Sequence, residues 1–231
     1  LKVANIAVLT EESVRSSAPS ADTIVRDGLV NALRERLDID FIDPGKSVSA
    51  GVSPASITNG VSALPSSGND ADAIREDIKA LMAGFIAANN PPTSGVWIMS
   101  ATTALALSLM RNPLDQDEFP GISMNGGTFA GLPVIVSEYV PTDSAGSLVI
   151  LVNAGDIYLG DDGRFAVDVS REASLEMDDA PSGEANTPTE STVVSLWQAN
   201  CVGFRAEREI NWKARRDSAV QVLSAVNWGA P

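Results

Sequence analysis

Apolar positions along this chain recur with two periods, and the mixture predicts both strands and helices. Leu1-Lys2-Val3-Ala4-Asn5-Ile6-Ala7-Val8-Leu9 reads as a strand already under way, which predicts residues upstream of it, and Thr10-Glu11-Glu12 ends it. Pro19-Ser20-Ala21-Asp22 predicts a helix start, with Ser20 as N-cap and Asp22 in the favourable first turn. Ile24, Val25, Leu29, Leu33 and Leu37 follow at helical spacing, and Arg26, Asp27, Arg34 and Glu35 between them read as a solvated face. Gly28 inside this helix predicts a close crossing there.

Residues 43 to 69 are rich in Ser, Gly and Pro and predict a loop or junction with a short strand around Thr58 to Ala63. A long helix follows, whose stripe is Ile74, Ile78, Leu81, Met82, Phe85 and Ile86, with Asp70 and Asp72 at its N-terminus and Asn89-Asn90-Pro91-Pro92 at its end. "GVWIMS" predicts a buried strand, and Ser100 then caps a helix running through Met110. Residues 112 to 127 form a long polar loop, a length that marks function or mobility in a compact domain. "SLVILVNAGDIYLGDDG" and "RFAVDVSREASLEM" predict strands joined by Gly-Asp turns. Residues 178 to 191 have the composition of a mobile loop, and two strand-like segments, from Thr192 and from Ser218, close the chain.

The stretch "GGTFAGLPVIVSEYVP", 126 to 141, poses a choice between ligand loop and architecture. Phosphate cradles run strand, glycines, helix, whereas here the glycines precede the strand and no helix start or nearby Lys follows. The glycines therefore read as a sharp turn into a sheet, and Pro133 is tolerated at the head of its strand.

Composition narrows the chemistry. The 231 residues contain no histidine, which removes Ser-His and Cys-His nucleophiles and imidazole zinc sites. Cys201 is the single cysteine, so the sequence holds no internal disulfide and no cysteine-cluster metal site; its neighbours Trp197, Val202 and Phe204 predict a buried thiol. The net charge of −14, with only Lys2, Lys46, Lys79 and Lys213 as lysines, argues against nucleic-acid binding as the main task. No apolar run reaches the length of a membrane span. The strand-Ser100-helix turn lacks the glycines and histidine of a nucleophile elbow. Asp156, Asp161 and Asp162 lack the spacing of a calcium loop and read as turn residues.

The order of these segments resembles the major capsid protein family of tailed phages, with the Hong Kong 97-type shell fold. A "G-x-L-x-G-x-P-V" entry matches Gly127-Thr128-Phe129-Ala130-Gly131-Leu132-Pro133-Val134, a "gd-xx-y-xx-g" strand matches Gly155-Asp156 to Gly160, and a late "R-x-E-x-R" segment matches Arg205-Ala206-Glu207-Arg208, leading to Asp217-Ser218-Ala219-Val220. Residues 2 to 33 are similar to the strand that feeds the family's spine helix. The family's N-terminal arm and extended hairpin, which would precede Leu1, are not within this sequence, so its isopeptide cross-link is not carried over. The segment 178 to 191 is longer than the turn expected there.

The resemblance implies an α+β fold in two discontinuous domains. A peripheral domain, residues 1–49 and 190–216, would hold the spine helix (about 20 to 37) and the long strand near 192 to 214. An axial domain, residues 50–189 and 217–231, would hold a mixed sheet with flanking helices. It implies a structural shell subunit, not an enzyme, without cofactor or metal, self-associating into pentamers and hexamers that enclose DNA. The virion would be its location, assembled in the bacterial host cytoplasm, with no sequence-specific nucleic-acid or membrane partner. These residues alone would form a monomer or small ring with the 112 to 127 loop at its axis, and the subunit-contact candidates are Asp115, Asp117, Glu118, Phe119, Arg205, Glu207 and Arg208. Two other readings are an encapsulin-like nanocompartment and an α/β enzyme using paired carboxylates, Asp161 with Asp162 or Glu207 with Glu209.

Overall fold

The computed structural model describes residues 1–16, 20–163, 165–178 and 192–229. In chain order the elements are β1 (Lys2–Thr10), α1 (Glu11–Ser16), α2 (Ser20–Ile42), β2 (Leu64–Pro65), α3 (Ala71–Ala87), β3 (Gly95–Met99), α4 (Ala101–Leu109), β4 (Ile122–Ser123), β5 (Gly126–Phe129), β6 (Leu132–Val136), β7 (Thr142–Asp143) and β8 (Gly146–Asn153). They continue with β9 (Ile157–Asp161), β10 (Ala166–Ser170), β11 (Ser174–Glu176), β12 (Val193–Ser195), β13 (Cys201–Ala214) and β14 (Val220–Val226). The chain divides into two compact units, one of Leu1, Leu37–Asp161 and Ile210–Pro231, the other of Lys2–Arg36 and Asp162–Glu209.

The first unit is built on a sheet in the order β2-β14-β8-β3-β6-β5-β4, with β7 attached to β8. β14–β2 and β3–β6 are parallel and the other pairings antiparallel. β8 is apolar on both faces because both are covered: Val149 and Leu151 point to one side, Ile150 and Val152 to the other, and all four are buried. Helices α3 and α4 close one face, where Ile74, Leu81, Phe85 and Leu107 meet Trp97, Met99, Val149, Leu151 and Leu223 in one cluster. α3 starts where the Asp70 carboxylate accepts the Ala73 N–H at 2.9 Å. Its expected stripe holds for Ile74, Leu81 and Phe85, with Ile78 and Met82 at the margin. Ile86 is 66% exposed, since one residue beyond Phe85 is a rotation of roughly 100° off the stripe.

The glycine stretch is architectural. Phe129 pairs with Leu132, so Ala130 and Gly131 form a two-residue hairpin loop, and both have positive φ (49° and 79°) as a type I′ turn requires. At Gly127 a Cβ would lie 2.1 Å from the Gly121 carbonyl oxygen, so no side chain fits.

In the second unit β13 lies between β1 and β10, both antiparallel to it. Leu29 and Leu33 of α2 are buried, and Asn5 of β1 donates its side-chain N–H to the Leu29 carbonyl at 2.9 Å. β11 and β12 form a separate two-stranded pair.

Several expectations are corrected. α2 begins at Ser20 itself and runs on to Ile42 rather than 37, held there by Phe41, edge-on to Trp212 at 5.3 Å, and by Thr58, whose hydroxyl donates to the Ile42 carbonyl at 2.8 Å. Ile24 is exposed, and Gly28 has nothing within 4 Å of where a Cβ would stand, so no crossing occurs there. The short strand is Leu64–Pro65, because residues 56 to 61 close turns on themselves (Asn59 N–H to Ser56 O, Val61 N–H to Thr58 O). The segment 192 to 214 is not one strand: β12 and β13 are separated by turns ending at Asn200, whose φ is 53°. Trp197 is 75% exposed and leaves Cys201 half-buried rather than buried. The compact units divide the chain at 36/37, 161/162 and 209/210; residues 37 to 42 pack with the 43–62 segment, and β10 pairs with β13. The segment expected to be mobile lies, beyond Asp178, outside the described residues.

Candidate subunit-contact surfaces

Strand register places one group of candidates. Ile6, Arg205 and Asp168 stand in one cross-strand row, and Ala4, Glu207 and Ala166 in the next. Lys2 Nζ lies 2.9 Å from the Glu207 carboxylate, Arg205 2.8 Å from Asp168 and 3.8 Å from Glu207. Charges of alternating sign thus cross β1, β13 and β10 on one sheet face. The Arg205 guanidinium is pushed above its ordinary value by the hydrogen bond to Asp168, then by the charges of Glu207 and Asp168. Such exposed pairs are screened by solvent and contribute little to stability. Arg208 belongs to the opposite face, where its guanidinium lies 4.5 Å from the Phe165 ring centroid. Glu207 and Glu209 do share a face, but Glu207 is held between Lys2 and Arg205.

The second group sits on the 111–121 loop after α4, which is braced internally. Asn112 Oδ1 accepts the N–H groups of Leu114 (2.9 Å) and Gln116 (3.0 Å), and Arg111 pairs with Asp117 at 2.7 Å. Phe119 turns inward, edge-on to Phe129 at 5.4 Å, with Arg75 over its ring. Glu118 pairs with the same Arg75, which also holds Asp72 at 2.9 Å. Asp115 (φ 60°) and Leu114, 79% exposed, form the outward tip. The seven candidates therefore fall into two groups, and Glu118 and Phe119 anchor their loop rather than face outward.

Three features were missed from the sequence. Asp77 is buried and accepts from the Ser66 hydroxyl (2.7 Å), Ser67 N–H (2.8 Å), Ser67 hydroxyl (2.6 Å) and Trp228 indole N–H (3.0 Å). Asp156, read as a turn residue, is buried and accepts Nδ2 of Asn90 (2.7 Å) and Asn153 (2.9 Å). α4 exposes Leu105 and Leu109; its signal was a nine-residue helix with no charge. Ser100 is the structural cap expected, accepting the Thr103 N–H at 3.3 Å. Among the described residues no group of three or more Cys, Asp or Glu is placed to hold a metal ion, and no helix is long and apolar enough to cross a membrane.

The phage capsid family model matches residues 2–225. This chain belongs to the phage capsid family. It is 70% identical over all 231 residues to a capsid polyprotein of Pseudomonas phage PAJU2, and it spans 34% of that protein's length. Solved structures similar to this phage capsid family chain include one from Mycobacterium phage Bobi (TM-score 0.70, 15% identity, 96% of this chain and 70% of that one). Another is the capsid of a native GTA particle computed with C5 symmetry (TM-score 0.59, 14% identity, 96% and 71%). These likenesses show the fold: an α+β Hong Kong 97-type capsid fold.

Proposed function

We propose that this chain is the shell-forming part of a tailed-phage or prophage major capsid protein, which self-associates into pentamers and hexamers that enclose DNA. The observation that carries the reading is the match to a capsid polyprotein at 70% identity along the entire chain. The role is structural rather than enzymatic, the location is the virion, and assembly takes place in the bacterial host cytoplasm. The unit holding β1, β10 and most of β13 takes the peripheral role, and the unit holding α3, α4 and the large sheet takes the axial one. Subunit contacts then draw on the Asp115 and Asp117 loop beside the exposed α4 leucines, and on the Arg205, Glu207 and Arg208 region of β13. A net charge of −14 suits a wall that does not grip the packaged DNA.

Expression of the gene product that carries these residues, followed by light scattering and electron microscopy, tests this. Closed icosahedral shells are expected, since heterologous contacts that close generate rings and cages. A product that stays monomeric under every assembly condition overturns the reading. Shells filled with a protein cargo in place of DNA turn it into a nanocompartment.

A further inference from the structure

α4 buries one side through Thr103, Ala104 and Leu107, and none of its nine residues is charged although Leu105 and Leu109 stand in solvent on the other. Beside those leucines runs a groove of about 400 Å³, lined by Thr102, Leu105, Ala106, Leu109, Met110 and Gly229. Its far wall is the turn after β14, and that wall is fixed. Gly229 has a φ of 70°, and a Cβ there would lie 3.0 Å from the Ala106 Cβ and 3.3 Å from the Ala106 carbonyl oxygen, so glycine lets the chain pass this close to the helix. The Gly229 N–H donates to the Asn69 carbonyl at 3.0 Å, and the neighbouring Trp228 indole is tied to Asp77. The groove therefore exists before anything enters it.

On the same compact unit an apolar side chain is held out into water. Leu114 stands at the tip of the 111–121 loop and does not line the groove of its own chain. The tip is knit by its backbone: Asp115 N–H donates to the Asn112 carbonyl and Asn112 N–H to the Gln116 carbonyl, both at 2.9 Å. The Glu118 N–H donates to the Met110 carbonyl at 3.0 Å, which binds the loop to a residue of the groove. A loop ordered in this way loses little entropy when its leucine is buried. Asp115 makes the tip acidic, in a chain of net charge −14. The described residues that line the groove carry no charge, so an acidic tip meets no like charge there.

We infer that Leu114 of one copy seats in the α4 groove of the next. Each copy gives a tip and receives one through different surfaces, so the contact is heterologous and its repetition can close a ring. Met110 lines the groove while its carbonyl holds the tip loop, so the angle between what a copy gives and what it receives is set within one short stretch of chain. That the ring is a capsomer rests on the capsid reading; the pairing of tip with groove rests on their apolar match and on the missing charge.

Photocrosslinking of the gene product tests this. A diazirine-bearing leucine analogue at position 114 is expected to give a ladder of covalent multimers on irradiation, with mass spectrometry placing the new bond in residues 101–110 or at Gly229 of another copy. A bond within the same chain, to another protein, or elsewhere on the neighbour overturns the inference, whether or not shells form. A ladder that stops at the dimer overturns it too, because a heterologous contact has no reason to stop there. A full ladder without shells by electron microscopy counts against the capsid reading alone, whereas a monomer overturns both. Leu114→Asp and Leu109→Lys change exposed positions, so each should leave Tm unchanged and weaken association at least about tenfold, read by light scattering over a concentration series. Combined, they should recover association, since the introduced carboxylate then faces the introduced ammonium. Association untouched by Leu114→Asp, or no stronger in the double variant than in either single one, overturns the inference.

Discussion

Replacing Asp77 by Ala should be among the most damaging single changes to the first unit. The Asp77 residue is 1% exposed, and four donors hold its carboxylate, from Ser66, Ser67 twice and Trp228. Without it the two serine hydroxyls can turn to water, but the Ser67 N–H and the Trp228 indole N–H lose their acceptor. Hydrogen bonds to a charged group are each worth about 1.5–3 kcal/mol, which gives a loss of about 3–6 kcal/mol. Against a typical stability of about 5–15 kcal/mol that is a large fraction, and it corresponds to a fall in Tm of about 6–24 °C. Urea titration followed by circular dichroism measures it, with an unchanged slope showing that the folded state is intact. Trp228→Phe should cost about 1–3 kcal/mol, and in the Asp77→Ala background about 1–2 kcal/mol less, because the two share a bond. A loss below about 1 kcal/mol for Asp77→Ala would falsify the view that these bonds hold the C-terminal Trp228 to α3.

Phe85→Asp should unfold the first unit, since a buried unpaired charge costs several kcal/mol, whereas Ile86→Asp one residue on should leave Tm within a degree or two; equal effects would refute the stripe. Ala130→Asn should stabilise by about 0.5–1 kcal/mol, because Ala130 holds a φ of 49° that Asn tolerates better in a type I′ turn; a lowered urea midpoint would count against that turn. Asp38 is exposed by surface area, but partial desolvation of its carboxyl still raises it above its ordinary value of 3.8, so its charged form weakly opposes folding. That opposition is fully present above the raised value and disappears as the pH falls below 3.8, so Asp38→Asn should raise Tm at pH 7 and change nothing at pH 3. A larger gain at pH 3 than at pH 7 would show the sign to be wrong.

Periodicity carried much of the fold because α3 and β8 bury continuous apolar sets, and burial is what a hydrophobic pattern records. The direction of the glycine stretch likewise sufficed, since a cradle and a hairpin place glycine on opposite sides of a strand. What stayed illegible depended on partners far away in the chain. Asp77 looked like one more polar position of a helix, and only Trp228, 151 residues on, makes it a buried anchor. Phe119 shares a loop with Asp115 and Asp117, and nothing local in the sequence shows that its ring packs edge-on against Phe129. The end of α2 was misjudged for the same reason: Trp212 and Thr58, not propensity, carry it to Ile42. The Lys2, Glu207, Arg205 and Asp168 row needed the register of three strands, which no local spacing encodes.

The Gly127 position has an evolutionary corollary. With a neighbouring carbonyl oxygen 2.1 Å from where the first side-chain carbon would sit, every substitution there is closed to mutation by sterics alone. Drift can therefore rewrite the surrounding letters while this one stays put for as long as the hairpin keeps its path. A fingerprint of that origin marks ancestry rather than ligand binding, and its persistence between distant relatives would carry no information about what any of them holds.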